Sequence, residues 1–190
     1  MQLYLATIER FADTDPALLD KRRSAEYARA KSNVRRREIL AGAGILRYAL
    51  SDAGYPVSET PLPVEYTAEG KPYLPNGPHV SLSHSGEMIV CIVSSENAGV
   101  DIERVSRFEN SRVAKKILSD DEYACYQRLE TPAKAKYLAD RWTAKEAVSK
   151  LLGKGLGVCF QTIDTKDYVT KGWTVEKNGE VYSISTARMR

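Results

Sequence analysis

Two short segments of the sequence carry residue types that together suit a metal ion and a phosphate ester. The run Gly-Val-Asp-Ile-Glu contains Asp101 and Glu103, two positions apart. If this run is a strand, its two-residue period places both carboxylates on one face. Some forty positions later, Glu146 and Lys150 are spaced by about one helical turn. Three carboxylates beside a lysine provide hard oxygen ligands for Mg²⁺ and a cation for a phosphate.

Each of these signals also has a purely structural interpretation. An Asp-x-Glu pair is common on an exposed strand face, and a Glu-Lys pair at this spacing stabilises a helix by about a few tenths of a kcal/mol. Lys145 likewise fits a surface position, and Trp142 fits the core. The apolar neighbours of Asp101 favour a partly buried strand, in which two carboxylates repel each other unless a cation neutralises them.

Three further polar segments have compositions that suit phosphate groups. In residues 153–156, Gly-Lys-Gly-Leu, two glycines bracket a lysine and let backbone amides and an ammonium group approach a phosphate. Residues 81–86 end a strand with hydroxyls and an imidazole, and these groups equally satisfy the backbone of a turn. Residues 21–37 hold eight basic side chains and one acidic side chain, which predicts either a surface for a polyanion or acidic partner, or a solvated helix face.

The composition is that of an ordinary globular protein. The chain has 190 residues, of which 43% are hydrophobic and 28% charged, as expected for one domain or two small halves that share a core. A net charge of +3 is too small to argue for nucleic-acid binding. No stretch is apolar enough to span a membrane, and the N-terminus lacks a signal-peptide pattern. The three scattered cysteines form no zinc motif or disulfide framework, so we expect a cytoplasmic protein.

Hydrophobic periodicity, capping residues and turn signals predict an α+β fold. Strands are expected over 2–8, near 64–67, over 79–83, 88–94 and 98–103, and as a hairpin of 173–177 and 180–186 around Asn178-Gly179. Helices are expected over 16–28 after Asp15-Pro16, from Ser32-Asn33 to about 52, from the capping box at 119–122, and over 133–152. These elements predict two similar α+β halves, 1–97 and 98–190, in a pseudo-twofold arrangement, each with a long helix packed on a small antiparallel sheet.

The motifs, in this order, resemble those of the 4′-phosphopantetheinyl transferases. They are Gly-Lys-Pro at 70–72, Ser-x-Ser-His-Ser at 81–85, Gly-Val-Asp-Ile-Glu at 99–103, Trp-x-x-Lys-Glu-Ala-x-x-Lys at 142–150 and Gly-Lys-Gly-Leu at 153–156. The Ser-His element and the N-terminal half resemble the longer, Sfp-type subgroup. The resemblance spans most of residues 30–160, and the last two motifs are the most specific. It implies two similar α+β halves with coenzyme A in the cleft between them.

The resemblance also implies a reaction and its residues. Members of this family move phosphopantetheine from coenzyme A to a serine of a carrier protein and release adenosine 3′,5′-bisphosphate. Mg²⁺ would be held by Asp101, Glu103 and Glu146. Lys150 would contact the pyrophosphate and stabilise the leaving phosphate. Glu146, directly or through a water, would accept the serine proton, with Glu122 as the second candidate.

The resemblance assigns the coenzyme A contacts to the other half of the chain. Lys71 would lie by the adenine, and Ser83 and His84 by the phosphates, with His84 at the 3′-phosphate. Family members carry an arginine a few residues before the glycine of the first long helix. Glu38 occupies that position here, so Arg36 and Arg37 beside it are the candidates for the 3′-phosphate.

Two other functions share part of this pattern. Another Mg²⁺-dependent phosphate-ester enzyme, such as a nucleotide hydrolase, would use the same carboxylates without a carrier protein. A non-catalytic module that binds carriers or RNA would use the basic segment, and RNA binding would show a steep salt dependence. The sequence does not identify the carrier, which could belong to fatty-acid, polyketide or nonribosomal-peptide synthesis. Two halves in one chain predict a monomer, with no nucleic-acid or membrane partner.

Overall fold

The computed structural model describes residues 1–109, 112–154 and 159–190. This part of the chain divides into two compact units, Met1–Glu96 and Asn97–Arg190. Both units contain helices and a small antiparallel sheet, which confirms the predicted α+β class. No helix among the described residues is long and apolar enough to cross a membrane.

The first unit is built on a three-stranded antiparallel sheet. Its elements are β1 (Gln2–Thr7), α1 (Lys21–Arg29), α2 (Asn33–Asp52), β2 (Glu65–Tyr66), β3 (Pro72–Tyr73), β4 (His79–Ser85) and β5 (Met88–Ser94). The sheet has the order β1-β5-β4, and β2 and β3 form a separate antiparallel pair. Ile45, Leu46 and Ala49 of α2 are buried in one cluster with Ile89 and Val93 of β5. The apolar stripe of the long helix therefore covers the middle strand.

The helix predicted over 16–28 is wrong in its first part. Asp15 caps a 3₁₀ turn of three residues, Pro16–Leu18, through its side-chain contact with the N–H of Ala17. The backbone is then extended at Leu19, which is buried with residues of α2. Asp20 starts α1 by accepting the N–H groups of the second and third helical residues at 3.1 Å. Two competing cap residues and one buried leucine thus divide the predicted helix. The strand pairing of β3 was not predicted.

The second unit repeats this plan. Its elements are β6 (Ala98–Arg104), α3 (Ala114–Ile117), α4 (Asp120–Gln127), α5 (Thr131–Leu152), β7 (Val169–Lys177) and β8 (Glu180–Arg188). The sheet order is β6-β8-β7. Asn178 and Gly179 join β7 to β8 with φ angles of 52° and 77°, as in a type I′ turn. The predicted capping box of α4 and the predicted hairpin are confirmed.

The two units share one topology. In each three-stranded sheet, the strand that comes last in the sequence lies between the other two. In each unit, the longest helix precedes the hairpin that ends the unit. In the second unit the helix approaches the first strand closely, because a Cβ at Gly99 would lie 2.0 Å from the backbone oxygen of Ala147. This glycine therefore allows β6 to lie directly against α5, and the next residues on the same strand face also point toward that helix.

Candidate active site

The first carboxylate of β6 forms an ion pair with the end of α5. Asp101 lies two residues after Gly99, on the face that packs against the helix. Its Oδ1 accepts a hydrogen bond from Lys150 Nζ at 2.6 Å. Asp101 is 5% exposed, whereas the lysine side chain remains 27% exposed. The structure thus brings together two residues that the sequence separates by almost fifty positions, and it leaves the lysine side chain partly exposed.

The second carboxylate of β6 has a different cationic partner. Glu103 is buried and forms an ion pair with Arg107, which lies in a 3₁₀ turn directly after the strand. Its Oε1 also accepts the N–H of Arg104 at 3.0 Å. The guanidinium of Arg107 lies 5.3 Å from the ring centroid of Trp142. Arg107 was not predicted as a site residue. Its position four residues after Glu103 is the sequence signal that could have indicated it.

The third carboxylate lies on α5, one helical turn before Lys150. Glu146 is 8% exposed. Burial, followed by the negative charge of Asp101, raises the pKa of Glu146 from 4.5 to about 7, and the charges of Lys150 and Arg107 oppose this effect. Among the described residues, none forms a hydrogen bond or an ion pair with this carboxyl group. A carboxyl group with this pKa can accept or release a proton near neutral pH.

The donor chemistry of these three residues fits a divalent cation. In the described ranges, no group of three His, Cys, Asp or Glu side chains stands in a metal-coordinating arrangement, and two of the carboxylates are instead neutralised by Lys150 and Arg107. All three carboxylates are buried, and burial, followed by repulsion from Asp101 and to a smaller extent Glu103, raises the pKa of Glu146. A hard cation would remove this repulsion, and carboxylate oxygens are the ligands that Mg²⁺ prefers.

We expect Glu146→Gln to stabilise the protein increasingly as the pH rises from 4.5 to 7. The raised pKa means that the folded state binds this proton more tightly than the unfolded state. Ionisation therefore costs folding free energy, and the cost is absent below the unfolded pKa and complete above the folded one. A pKa raised from 4.5 to about 7 corresponds to about 3 kcal/mol.

Urea unfolding of both proteins without divalent ions, across this pH range, measures the difference. Glu176→Gln, at an exposed position of β7, is the matched control, and its effect should not depend on pH. A constant difference between the wild type and Glu146→Gln would contradict the prediction.

Lys145 is wholly buried, which excludes the surface position that the sequence left open. Its Nζ donates to the backbone oxygens of Ile117 at 2.9 Å and Phe160 at 2.8 Å, and to Oε2 of Glu122 at 2.6 Å. The same Glu122 oxygen accepts the N–H of Ser119 in the capping box of α4. This lysine therefore joins three chain segments around α5. The predicted role of Glu122 in proton transfer stays a prediction, and its visible contacts are structural.

In the first unit, the structure gathers Ser83 and His84 at a small groove. The groove has a volume of about 130 Å³ and is lined by the first half of α2, the edge strand β4 and Arg23. Arg35 lines it and forms an ion pair with Glu38 at 3.2 Å. Nδ1 of His84 lies 3.8 Å from the other oxygen of Glu38. Arg35 and His84 thus flank the carboxylate of Glu38, and Ser83 lines the same groove.

The two arginines predicted for this region lie elsewhere. Among the described residues, the groove lining includes neither Arg36 nor Arg37. Arg36 lies over the ring of Tyr27 at 5.9 Å, and Arg37 forms an ion pair with Glu9. Successive helical residues point about 100° apart, so a shift of one position moves an arginine out of the groove. Arg35 lines the groove, which the sequence did not indicate, and the assignment of Arg36 and Arg37 to the 3′-phosphate stays a prediction.

Two predicted positions remain outside these clusters. Lys71 lies between β2 and β3, and partial burial lowers its pKa. Of the Gly-Lys-Gly-Leu motif, Gly153 ends α5 with a φ of 70°, while 155 and 156 lie outside the described residues.

Comparison with known proteins identifies the family. The family model described as the 4′-phosphopantetheinyl transferase superfamily matches residues 97–188, the unit that carries the three carboxylates. A holo-[acyl-carrier-protein] synthase of Streptococcus suis is 38% identical over 85 residues, which cover 38% of this chain and 71% of that protein. The chain belongs to the 4′-phosphopantetheinyl transferase superfamily. A transferase of Bacillus pumilus is 33% identical to this superfamily member over 141 residues, 72% of this chain and 58% of the relative.

The resemblance to the longer, Sfp-type members is confirmed by matches of 30% to 35% identity to transferases of Bacillus subtilis. The chain of this superfamily member spans about half the length of the curated transferases that it matches. A solved structure of a holo-(acyl-carrier-protein) synthase of Bacillus anthracis, in complex with CoA (3′,5′-ADP), covers 50% of this chain and 96% of its own. It has a TM-score of 0.40 and 20% sequence identity.

Proposed function

We propose that this protein transfers 4′-phosphopantetheine from coenzyme A to a serine of an apo carrier protein and releases adenosine 3′,5′-bisphosphate. The observation that carries this proposal is the contact of Asp101 with Lys150 beside the buried carboxyl group of Glu146. These residues lie in the unit that the family model matches. They supply the two requirements of phosphoryl transfer, which are charge stabilisation and a proton acceptor.

Asp101, Glu103 and Glu146 are the residues that would hold Mg²⁺. When bound, Mg²⁺ polarises the pyrophosphate of coenzyme A and neutralises charge that develops on it. The protein contributes a strand and a helix that keep three carboxylates buried on one side of α5.

Glu146 is the candidate for accepting the proton of the attacking serine, directly or through a water. Its pKa of about 7 is close to the value at which a general base works best at neutral pH. Glu122 is the second candidate, but one of its oxygens already binds Lys145 and the N–H of Ser119. Glu146 is therefore the favoured base, because its carboxyl group is not engaged in such contacts with the described residues.

Lys150 stabilises negative charge on the leaving phosphate. Nζ of Lys150 donates to Oδ1 of Asp101 at 2.6 Å, so this carboxylate orients the ammonium group. A partly exposed lysine anchored at one acceptor keeps its remaining N–H donors for a phosphate.

We expect Lys150→Ala to lower kcat by about a hundredfold, because the charge that it stabilises develops mainly in the transition state. The KM for coenzyme A should change by less than about threefold. Lys150→Arg should retain part of the activity, and Lys166→Ala, at an exposed position, should change neither constant. Steady-state kinetics of holo-carrier formation measures both constants. An unchanged kcat in Lys150→Ala would rule out its role.

The groove of the first unit is the proposed site for the 3′-phosphate of coenzyme A. Arg35, Ser83 and His84 supply donors there, and Lys71 is proposed to lie near the adenine. Glu38 lies 3.2 Å from Arg35 and 3.8 Å from His84, and Glu26 also binds Arg35 at 3.2 Å, so a phosphate would take over contacts that these carboxylates now make.

We expect Arg35→Ala to weaken coenzyme A binding by about tenfold, the loss of one charge-assisted contact. Arg36→Ala and Arg37→Ala are matched controls and should weaken it less. Titration calorimetry with dephospho-coenzyme A, which lacks the 3′-phosphate, should show no difference between Arg35→Ala and the wild type. Equal losses in all three variants would contradict the placement.

We also propose a monomeric cytoplasmic enzyme. All three cysteines, Cys91, Cys125 and Cys159, are free thiols, which agrees with a reducing compartment. The carrier protein is proposed as its macromolecular partner.

The decisive experiment incubates the protein with coenzyme A, Mg²⁺ and an apo acyl carrier protein. A gain in carrier mass of one phosphopantetheine, together with release of adenosine 3′,5′-bisphosphate, supports the transfer. Cleavage of coenzyme A without a carrier would instead indicate a hydrolase. Chelation of Mg²⁺ should stop the reaction, and an unchanged carrier mass under all conditions would refute the proposal.

A further inference from the structure

The second unit contains a larger groove on another part of α5. It lies between the first half of α5 and the edge strand β7, and it has a volume of about 340 Å³. We name it the α5–β7 groove. Its lining does not include Asp101, Glu146 or Lys150. Thr143 of α5 packs onto β8 through hydrogen bonds with Ser183 and Ser185 at 3.2 and 2.8 Å. The groove therefore lies beside the carboxylate cluster without including it, because its lining residue Ser185 pairs with Asp101 across β6 and β8.

Positive charge exceeds negative charge in this groove. Its lining includes Lys136, Arg141 and Lys171 and a single carboxylate, that of Asp140. Nζ of Lys136 lies 2.6 Å from both oxygens of Asp140, so that these two charges neutralise each other. The other cations of the lining are Lys171 and Arg141, and Arg141 also lies 3.8 Å from Glu122 outside the groove lining.

Arg141 carries a buried donor that lacks an acceptor. The Nε atom of Arg141 is buried, and no hydrogen-bond acceptor contacts it among the described residues. The guanidinium is held 5.3 Å from the ring centroid of Tyr137, and its Nη1 lies 3.8 Å from Glu122. Because Nε is buried while the side chain as a whole is 38% exposed, an oxyanion in the groove would accept hydrogen bonds from the terminal nitrogens of this guanidinium.

Small residues leave the groove open. Ala144 of α5 and Gly172 of β7 both line it. A Cβ at Gly172 would meet its nearest heavy atom, the backbone oxygen of Ile184, at 3.7 Å. This is an ordinary contact, so packing alone does not require a glycine there. The missing side chain instead adds space at the centre of the edge strand.

The groove of the first unit is built from the same elements. There the lining comes from the first half of α2, the edge strand β4 and the middle strand β5, and also from Arg23 and Glu26 of α1. In the second unit it comes from the first half of α5, the edge strand β7 and the middle strand β8. Arginine from the helix and a basic residue from the edge strand occur in both, as Arg35 with His84 and as Arg141 with Lys171. The repeated topology thus carries a repeated groove.

We propose that the α5–β7 groove is a second oxyanion-binding site, which binds a phosphate or carboxylate group through Arg141 and Lys171. The site does not require the transfer reaction or coenzyme A. Phosphate esters and carboxylates share the chemistry that these donors recognise, and the probes below separate them.

The test follows backbone amide resonances of the whole protein by NMR during titration with inorganic phosphate or acetate, against chloride at equal ionic strength. The amide of Gly172 should shift and saturate at millimolar concentrations. Saturation by phosphate alone assigns the site to phosphate esters, and saturation by both anions assigns it to oxyanions in general. The resonances of His84 report binding in the first unit separately.

Variants show whether the named donors cause the shift. Arg141→Ala should weaken the response at Gly172 by about tenfold, and Lys171→Ala by about threefold. Lys177→Ala, at an exposed position of the same strand, should leave it unchanged. Lys171→Ala keeps the proposal testable if Arg141→Ala does not fold. No saturable shift at Gly172 with either anion, or equal weakening by Lys177→Ala, would overturn the proposal.

Discussion

Replacing Asp101 with asparagine is expected to lower the rate of phosphopantetheine transfer by about a thousandfold. The change removes one of three proposed metal ligands and the carboxylate that orients Lys150 at 2.6 Å. The amide has nearly the volume of the carboxyl group, and the released lysine can reach solvent because its side chain is 27% exposed. We therefore expect the folded structure to persist. Mass spectrometry of the carrier at several Mg²⁺ concentrations measures the rate.

The same substitution should also change the titration of Glu146. The negative charge of Asp101 contributes to the raised pKa of this residue, so Asp101→Asn should lower that pKa and move the pH dependence of stability toward acid. Asp13→Asn, the same change at an exposed position of the first unit, is the control and should alter neither the transfer rate nor the titration of Glu146. Full activity of Asp101→Asn at low Mg²⁺ would refute the metal assignment.

Local signals in the sequence are sufficient to predict most of the elements. A capping box starts α4, Ser32 caps α2, and Asn178-Gly179 turns the hairpin, because each depends on residues within one or two turns of the chain. Reliance on such local signals also explains why the helix was predicted to begin at 16 and not at Lys21. Asp15 and Asp20 are both good caps, and only the burial of Leu19 against α2 decides where the helix begins.

The candidate site could be predicted in part for the same reason. The period of a strand places Asp101 and Glu103 on one face, and the pitch of a helix relates Glu146 to Lys150. Arg35 and Lys145 could not be assigned in this way. Whether an arginine faces a groove or the next helix depends on how α2 is rotated against β4, and the environment of Lys145 is made by segments 28 and 15 positions away. These are tertiary contacts with no local signal.

Replacing Lys145 with methionine should destabilise the protein by about 3 kcal/mol. Methionine fills a similar volume, so that the main loss is electrostatic. The carboxylate of Glu122, with a side chain 17% exposed, loses its closest cation, and the backbone oxygens of Ile117 and Phe160 lose their donor. An uncompensated charge and two unsatisfied carbonyls in a buried site have costs of this size. Urea unfolding, with the slope checked against the wild type, measures the change in free energy of unfolding.

A double-mutant cycle identifies the cause of this loss. If the unpaired carboxylate dominates, Glu122→Gln in the Lys145→Met background should recover about 1 kcal/mol or more, because the buried charge is then absent. Glu122→Gln alone should still destabilise the protein, since it weakens the capping box of α4 and leaves the buried lysine unpaired. Lys116→Met, at an exposed site beside Ile117, should change stability by less than about 0.5 kcal/mol. A loss in Lys145→Met as small as that of this control would contradict the assignment of Lys145 as the residue that ties α4 and the segment at Phe160 to α5.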